Sequence, residues 1–305
     1  MTEAFTVDAS ALISVRDKVT LITGGSSGIG LATAEFLLGL SPSNRVAILD
    51  RAEQPASLAS ERVFFHQCDA TSWPAQRAGF EAAAQKFGRI DVVFANVGIN
   101  ERGDQFFSDV FDGDNKLKEP DRSVMDLDFT ANADTVKLGI HYLRRNEKGG
   151  SIILTSSFAG YLGNPGAPFY NSAKHGLVGL MRSLKAETPK VNVAISVVAP
   201  AVTATPMLGS LDEVGMTAEE NAAHLIRSGL TVNRVESVAL AVGYLINGGP
   251  KSNGMGILVQ GDKMVDLEKG YAKSKEAWMG KEMLNLVKRG PGKDLYRRIE
   301  DKAKI

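Results

Sequence analysis

Within SIILTSSFAGYLGNPGAPFYNSAKHGLVGLMRSL, Tyr170 and Lys174 stand four residues apart, one helical turn, so both side chains share a face. Ser157 precedes the tyrosine by 13 residues, at the end of an apolar run. A phenol beside an ammonium can pass a proton. A tyrosine ordinarily keeps its proton to about pH 10. One cation at about 4 Å stabilises the phenolate by about 4 kcal/mol at an effective dielectric near 20, roughly what three pH units require. Singly, the tyrosine reads equally well as a core aromatic, the lysine as a surface residue and the serine as a strand-end cap; the chemistry lies in the set.

A set of this kind needs rigid elements to aim it, and the first lies near the N-terminus. TGGSSGIG (23–30) sits between KVTLIT, a buried strand by its β-branched run, and LATAEFLLGL, apolar at helical spacing. Strand, glycine turn and helix form a cradle for a pyrophosphate. Gly24, Gly28 and Gly30 let the backbone turn and approach the ligand, and the amides opening the helix at Ser26, Ser27 and Ile29 point toward its charge. About 20 residues on, RVAILD ends in Asp50, where dinucleotide folds place the acid that binds the adenosine ribose.

The remaining composition narrows the classes. The 305 residues carry 35 basic and 35 acidic side chains, so no net charge argues for nucleic acid or an anionic membrane. No leader-like N-terminus and no run of about 18 apolar residues is present, which predicts a soluble cytoplasmic protein with no membrane partner. The single Cys68 excludes an internal disulfide and reads as a small buried hydrophobe. His66, His141, His175 and His224 show no ligand spacing, so no metal is expected.

Apolar runs near 18–23, 45–50, 62–67, 90–95, 151–156, 192–199 and 256–260 alternate with helical patterns. The expected fold is α/β: one Rossmann-type, doubly wound parallel sheet of about seven strands, helices on both faces, and a C-terminal helical extension. The expected division is an arm at 1–16, a catalytic domain at 17–263 holding cofactor and substrate together, and an extension at 264–305. The polar segment 101–123 falls outside the rhythm. In the extension, KEAWMGKEMLNLVKR reads as a surface helix packing on the core, or as a lid or subunit contact.

From about residue 16 to 261 the chain resembles the short-chain dehydrogenase/reductase family. TGGSSGIG, Asp50, CDA (68–70), ANVG (95–98) for the family's NNAG, Ser157, YNSAK (170–174) and PAVTAT (200–205) for its PGxVxT appear in order. The resemblance implies that Tyr170 gives or takes the substrate proton, and that Ser157 holds the substrate oxygen. It implies that Lys174 binds the nicotinamide ribose and eases the tyrosine proton away. It further implies a dinucleotide lined by Arg51 beside Asp50, Asp69 and Ala70 near the adenine, Asn96, Val97 and Gly98 beside the ring, and Pro200, Val202, Thr203 and Thr205 near the carboxamide. A homodimer or homotetramer is the implied assembly.

Three positions depart from the pattern. DFTA stands for the family's vNltG, so Asp128 replaces the asparagine of the usual proton relay, with Asn132 one turn later as a possible substitute. Ala201 replaces a glycine, and GILVQGDKM lacks the common DGG. The function read from the whole is hydride transfer between NAD and a secondary alcohol or ketone. Asp50 favours NAD over NADP, because a carboxylate accepts from both ribose hydroxyls and repels a 2′-phosphate; the neighbouring Arg51 weighs the other way. The alternatives are an NADPH-dependent ketone reductase, a dehydratase or cyclase on the same fold, or a non-catalytic dinucleotide-binding regulator. Met207, Leu208, Leu211, Val214 and Met216 predict a small to medium apolar substrate, although core packing explains them as well.

Overall fold

The computed structural model describes residues 2–209 and 216–289. Its centre is a sheet in the order β3-β2-β1-β4-β5-β6-β7-β8. Seven strands are parallel: β1 (Val19–Thr23), β2 (Arg45–Asp50), β3 (Val63–Gln67), β4 (Val92–Ala95), β5 (Gly150–Thr155), β6 (Val193–Pro200) and β7 (Gly256–Gln260). The eighth, β8 (Lys263–Asp266), runs antiparallel to β7. The sheet therefore exceeds the expected seven strands by one. The extra strand is four residues of mixed polarity, of which only Met264 is buried, so it carries no apolar run to announce it.

Alternating side chains send the strands' apolar residues to two cores. Ile22, Ile48, Phe94, Ile153, Val198 and Ile257 face α1 (Gly28–Leu40) and, later in the chain, the helix Val235–Gly248. Their neighbours Leu21, Leu49, Val93, Ile152 and Val197 face α2 (Trp73–Phe87), α3 (Asn132–Leu143) and α4 (Pro168–Leu184). With both faces covered, the inner strands are apolar throughout; all eight residues of β6 are buried. The chain continues through α5 (Pro206–Gly209), α6 (Ala218–Arg227), α7 (Val235–Gly248), α8 (Leu267–Met279) and α9 (Lys281–Arg289).

The arm joins this body rather than trailing from it. Leu12 and Val15 are buried in the first core, and Phe5 exchanges both backbone hydrogen bonds with Met264. Consequently β8, which spans the expected start of the extension, is held on both sides. Among the described residues no helix is long and apolar enough to cross a membrane.

Candidate active site

The strand order reverses between β1 and β4, and a crevice at the carboxyl ends of the strands opens there. Thr23 ends β1, and the turn that follows needs glycine: Gly24 and Gly28 have φ of +68° and +51°. A β-carbon on Gly30 would strike the Gly24 carbonyl, so the turn and the first helical residues close tightly. Asn96 fastens this turn to the sheet. Its Nδ2 donates to Gly24 O at 3.0 Å, its backbone N–H donates to Thr23 Oγ1 at 3.1 Å, and its Oδ1 accepts from Thr155 Oγ1 at 2.9 Å.

Asp50, at the end of β2, accepts from the Ser26 and Ala52 N–H groups, each at 2.9 Å. Arg51 beside it is exposed. Asp69 is also exposed, and two hydrogen bonds from Thr71 hold its carboxyl below the usual range. Ala70 and Cys68 are buried, and burial pushes the thiol up to about 11, as suits an inert packing residue. Across the crevice, the Thr205 side chain stands 3.3 Å from where a Gly28 β-carbon would lie. Thr203 Oγ1 donates to Ala201 O and accepts from Asn233, while Val202 is partly exposed. Pro200 ends β6, and its carbonyl accepts a long 3.4 Å bond from Ser157 Oγ.

Lys174 and Tyr170 do share one face of α4, with the ammonium 5.4 Å from the centre of the phenol ring. Lys174 is sealed inside: its Nζ donates to Thr155 O at 3.3 Å and lies 2.9 Å from Asp128 Oδ2. Asp128 has no exposed surface, and its Oδ1 accepts from Ile99 N–H at 2.8 Å. It is carried by a π-helical turn, Met125–Ala131, that runs into α3. Such widened turns recur at functional sites.

This geometry settles which residue meets the lysine. Asn132 Nδ2 donates to the carbonyls of Val97 and Asp128, each at 2.9 Å, so it braces the turn; Asp128 makes the contact with Lys174. Gly98 leaves the pair room, since a β-carbon there would sit 3.1 Å from Asp128 and 3.2 Å from Lys174. Burial raises the Asp128 carboxyl above its usual range, partly offset by Lys174. Burial alone would lower the lysine, but Asp128 and Tyr170 together outweigh it and hold Lys174 above its ordinary value.

Two residues of the site carry no sequence signal. Glu101 Oε2 accepts from the backbone N–H of Tyr170 at 2.9 Å. Asn233, buried, ties the segment after β6 to β7 through Val259 O at 2.8 Å. Each is a polar residue in a loop whose partner lies tens of residues away. Of the apolar residues expected near the substrate, Leu208 is buried, Met207 and Met216 are partly buried, and Leu211 and Val214 lie outside the described residues. Among the described residues no cluster of three metal-binding side chains occurs.

The glycine cradle suits a dinucleotide. No side chain caps the start of α1, and Ser26 Oγ beside it is buried with no partner within the protein. Together with a carboxylate at the end of β2, these are donors and an acceptor awaiting a phosphate-bearing, ribose-bearing ligand.

An open doubly wound sheet with a glycine turn at its switch point, and a tyrosine and buried lysine one turn apart at the same end, defines a dinucleotide-binding oxidoreductase framework. Residues 18–214 match the family model for short chain dehydrogenase, and the chain belongs to that family. It is 34% identical over 289 residues to short-chain dehydrogenase/reductase prx4 of Penicillium rubens, covering 89% of this chain and 83% of the relative. It is 30% identical over 212 residues to human 3-hydroxyacyl-CoA dehydrogenase type-2, covering 67% and 80%. The crystal structure of levodione reductase superposes with a TM-score of 0.64 at 24% identity, over 80% of this chain and 96% of that one, a likeness of fold.

Proposed function

We infer that this oxidoreductase interconverts a secondary alcohol and a ketone, with NAD preferred over NADP. The observation that carries the reading is the buried Lys174 ammonium 5.4 Å from the Tyr170 ring, beside a glycine cradle with open helix amides. A bound nicotinamide supplies the hydride chemistry. Around it, Gly24, Ser26, Ser27, Gly28, Ile29 and Gly30 would take the pyrophosphate, Asp50 the adenosine ribose, and Asn96 through Gly98 with Thr203 and Thr205 the nicotinamide end.

The chain's own work is proton transfer and orientation. Ser157 Oγ accepts from the Ala159 N–H at 3.1 Å, and its own proton, engaged only in the long 3.4 Å bond to Pro200 O, can turn to a substrate oxygen. The Tyr170 hydroxyl gives that oxygen a proton in reduction and removes one in oxidation. Lys174, held protonated, stabilises the phenolate electrostatically. Asp128 fixes the lysine and offsets part of its charge. That offset favours a second reading, in which the physiological direction is carbonyl reduction with Tyr170 as acid.

The substrate assigned is small to medium and apolar, on the strength of the apolar residues Met207, Leu208 and Met216 in the segment that follows β6. Cofactor and substrate share one domain, residues 17–263, in a cytoplasmic homodimer or homotetramer. Incubation with NAD and a panel of hydrophobic secondary alcohols, followed at the NADH absorbance, tests the activity; the matching ketones with NADH and NADPH test direction and preference. A wild-type preference for NADP at equal concentrations overturns the Asp50 assignment. If the assignment is right, Asp50→Ala weakens NAD binding and narrows the preference by about tenfold, the scale of one lost charged hydrogen-bond acceptor.

A further inference from the structure

Helix α4 begins without a cap of its own. Its N-cap residue, Ala167, has no side chain to offer, and Pro168 opens the helix without an N–H. Asn171 N–H already reaches back to Ala167 O. The Tyr170 amide is a first-turn donor, and its acceptor comes from 69 residues earlier: Glu101 Oε2, at 2.9 Å.

Glu101 is the last of three consecutive residues that each fasten a different wall of the site. Ile99 N–H donates to Asp128 on the π-helical turn, and Asn100 Nδ2 donates to Met207 O on α5. Glu101 takes α4. Five residues on, Phe106 lies with its ring centre 5.0 Å from that of Phe169, the residue before Tyr170. The second Glu101 oxygen is buried without a partner in the protein, so ordering this side chain carries a cost that a surface glutamate would not bear.

We propose that Glu101 is a positioning residue for Tyr170: it caps the first turn of α4 from across the site and sets where the phenol stands relative to Lys174 and Ser157. A carboxylate is suited to this place, since a charge-assisted bond at a helix N-terminus is stronger than a neutral one and also complements the helix dipole. The inference rests on the proposed oxidoreductase chemistry for its kinetic consequence, and on the helix cap alone for its structural one.

The test compares Glu101→Ala, Glu101→Asp and Glu101→Gln in the full chain. Alanine has no acceptor, aspartate is one methylene too short, and glutamine keeps both reach and a carbonyl acceptor. Expected are a loss in kcat of about tenfold or more for Ala and Asp, as for modest misplacement of a reacting group. Glutamine should stay within about threefold of wild type, and KM for the dinucleotide should be unchanged throughout. Amide exchange of the peptide containing Tyr170, measured without cofactor, should quicken for Ala and Asp and not for Gln. Wild-type kcat in Ala and Asp, loss in Gln equal to that in Ala, or unaltered exchange would each overturn the proposal. If wild-type protein turned over no alcohol or ketone with either dinucleotide, the functional reading would fail, while exchange would still report on the cap.

Discussion

Near the start of α4, the Lys174 ammonium meets Asp128 at 2.9 Å with 4% and 0% of the two side chains exposed. Two turns further, about 12 Å along the axis, Arg182 grips Glu268 through three contacts of 2.7 to 3.2 Å, with Lys185 adding a fourth at 3.6 Å. Glu268 is buried as well, but Arg182 is 33% and Lys185 40% exposed. Arg182 also stacks 4.3 Å from the centre of the Tyr271 ring and 5.7 Å from that of Tyr161. One helix thus carries a poorly solvated pair at one end and a richly bonded, half-wet network at the other.

The difference is informative because burial and partners act in opposite directions. Sealing a pair from water costs more than its attraction readily returns, so an enclosed single pair is a weak device for stability. The Glu268 network keeps its cations in reach of solvent and satisfies the carboxylate with a guanidinium fork, which suits a fastening between α8 and α4. The first pair belongs to the proposed chemistry, and the second holds the C-terminal extension. Beyond that fastening, α9 is largely exposed, with Met283, Leu286 and Val287 facing solvent.

The largest expected effect belongs to the chemical end. Tyr170→Phe keeps the ring and removes the proton-carrying oxygen, so turnover should fall at least about 100-fold while dinucleotide affinity, read by fluorescence titration, stays near wild type. A near wild-type rate would move the chemistry to another group and erase the distinction between the two ends.

At the other end the expected change is in stability. Glu268→Ala strands two cations, but both can draw on water, so the loss should be about 1–3 kcal/mol, read from the urea midpoint at neutral pH. Turnover should remain within about twofold, because distant sites seldom couple. A large fall in kcat with little change in stability would show that the two ends form one unit.

The parts of this arrangement that were legible in sequence are those with short, fixed spacing. Tyr170 and Lys174 must be one turn apart to share a face, and the glycine turn must sit between β1 and α1; either relation can be read from a few adjacent letters. Asp128 was visible as a departure, but its direct contact with Lys174 depended on a π-helical turn that periodicity does not reveal. Glu268 and Arg182 are 86 residues apart, and Glu101 and Tyr170 are 69 apart. Charged residues in polar segments look alike until the fold brings one of them to a buried donor. The arm at 1–16 stands out in sequence, but its docking does not, for a related reason: Leu12 and Val15 pack into the core from 3-10 turns too short to show a helical period.

The smallest effect expected is the most specific to the first pair. Asp128→Asn removes a negative charge but retains much of the shape. A unit charge about 8 Å from a phenolate opposes it by about 2 kcal/mol at an effective dielectric near 20. With Glu101 still anchored to the Tyr170 amide, removing Asp128 leaves Lys174 as the dominant charge facing the phenol. The rising limb of alcohol oxidation should therefore move toward lower pH by about one unit, since each unit corresponds to about 1.4 kcal/mol. Lys174 moves in the same direction. Burial lowers it, and the Asp128 carboxylate is the chief influence raising it, so in the variant the ammonium gives up its proton earlier. Because the lysine's folded value is raised, its contribution to stability is complete below the ordinary lysine range and is lost as pH rises through the raised value; without Asp128 the folded value drops, and that alkaline loss shrinks. The raised Asp128 carboxyl gives a second signature, a decline of wild-type stability as pH climbs past the usual carboxylate range, absent from the variant. Profiles of kcat/KM for alcohol oxidation and of urea stability, measured on both proteins, separate these effects. An unmoved or alkaline-shifted rising limb would mean that the Asp128 charge is not felt at the phenol, and that the enclosed pair, like the Glu268 network, serves structure alone.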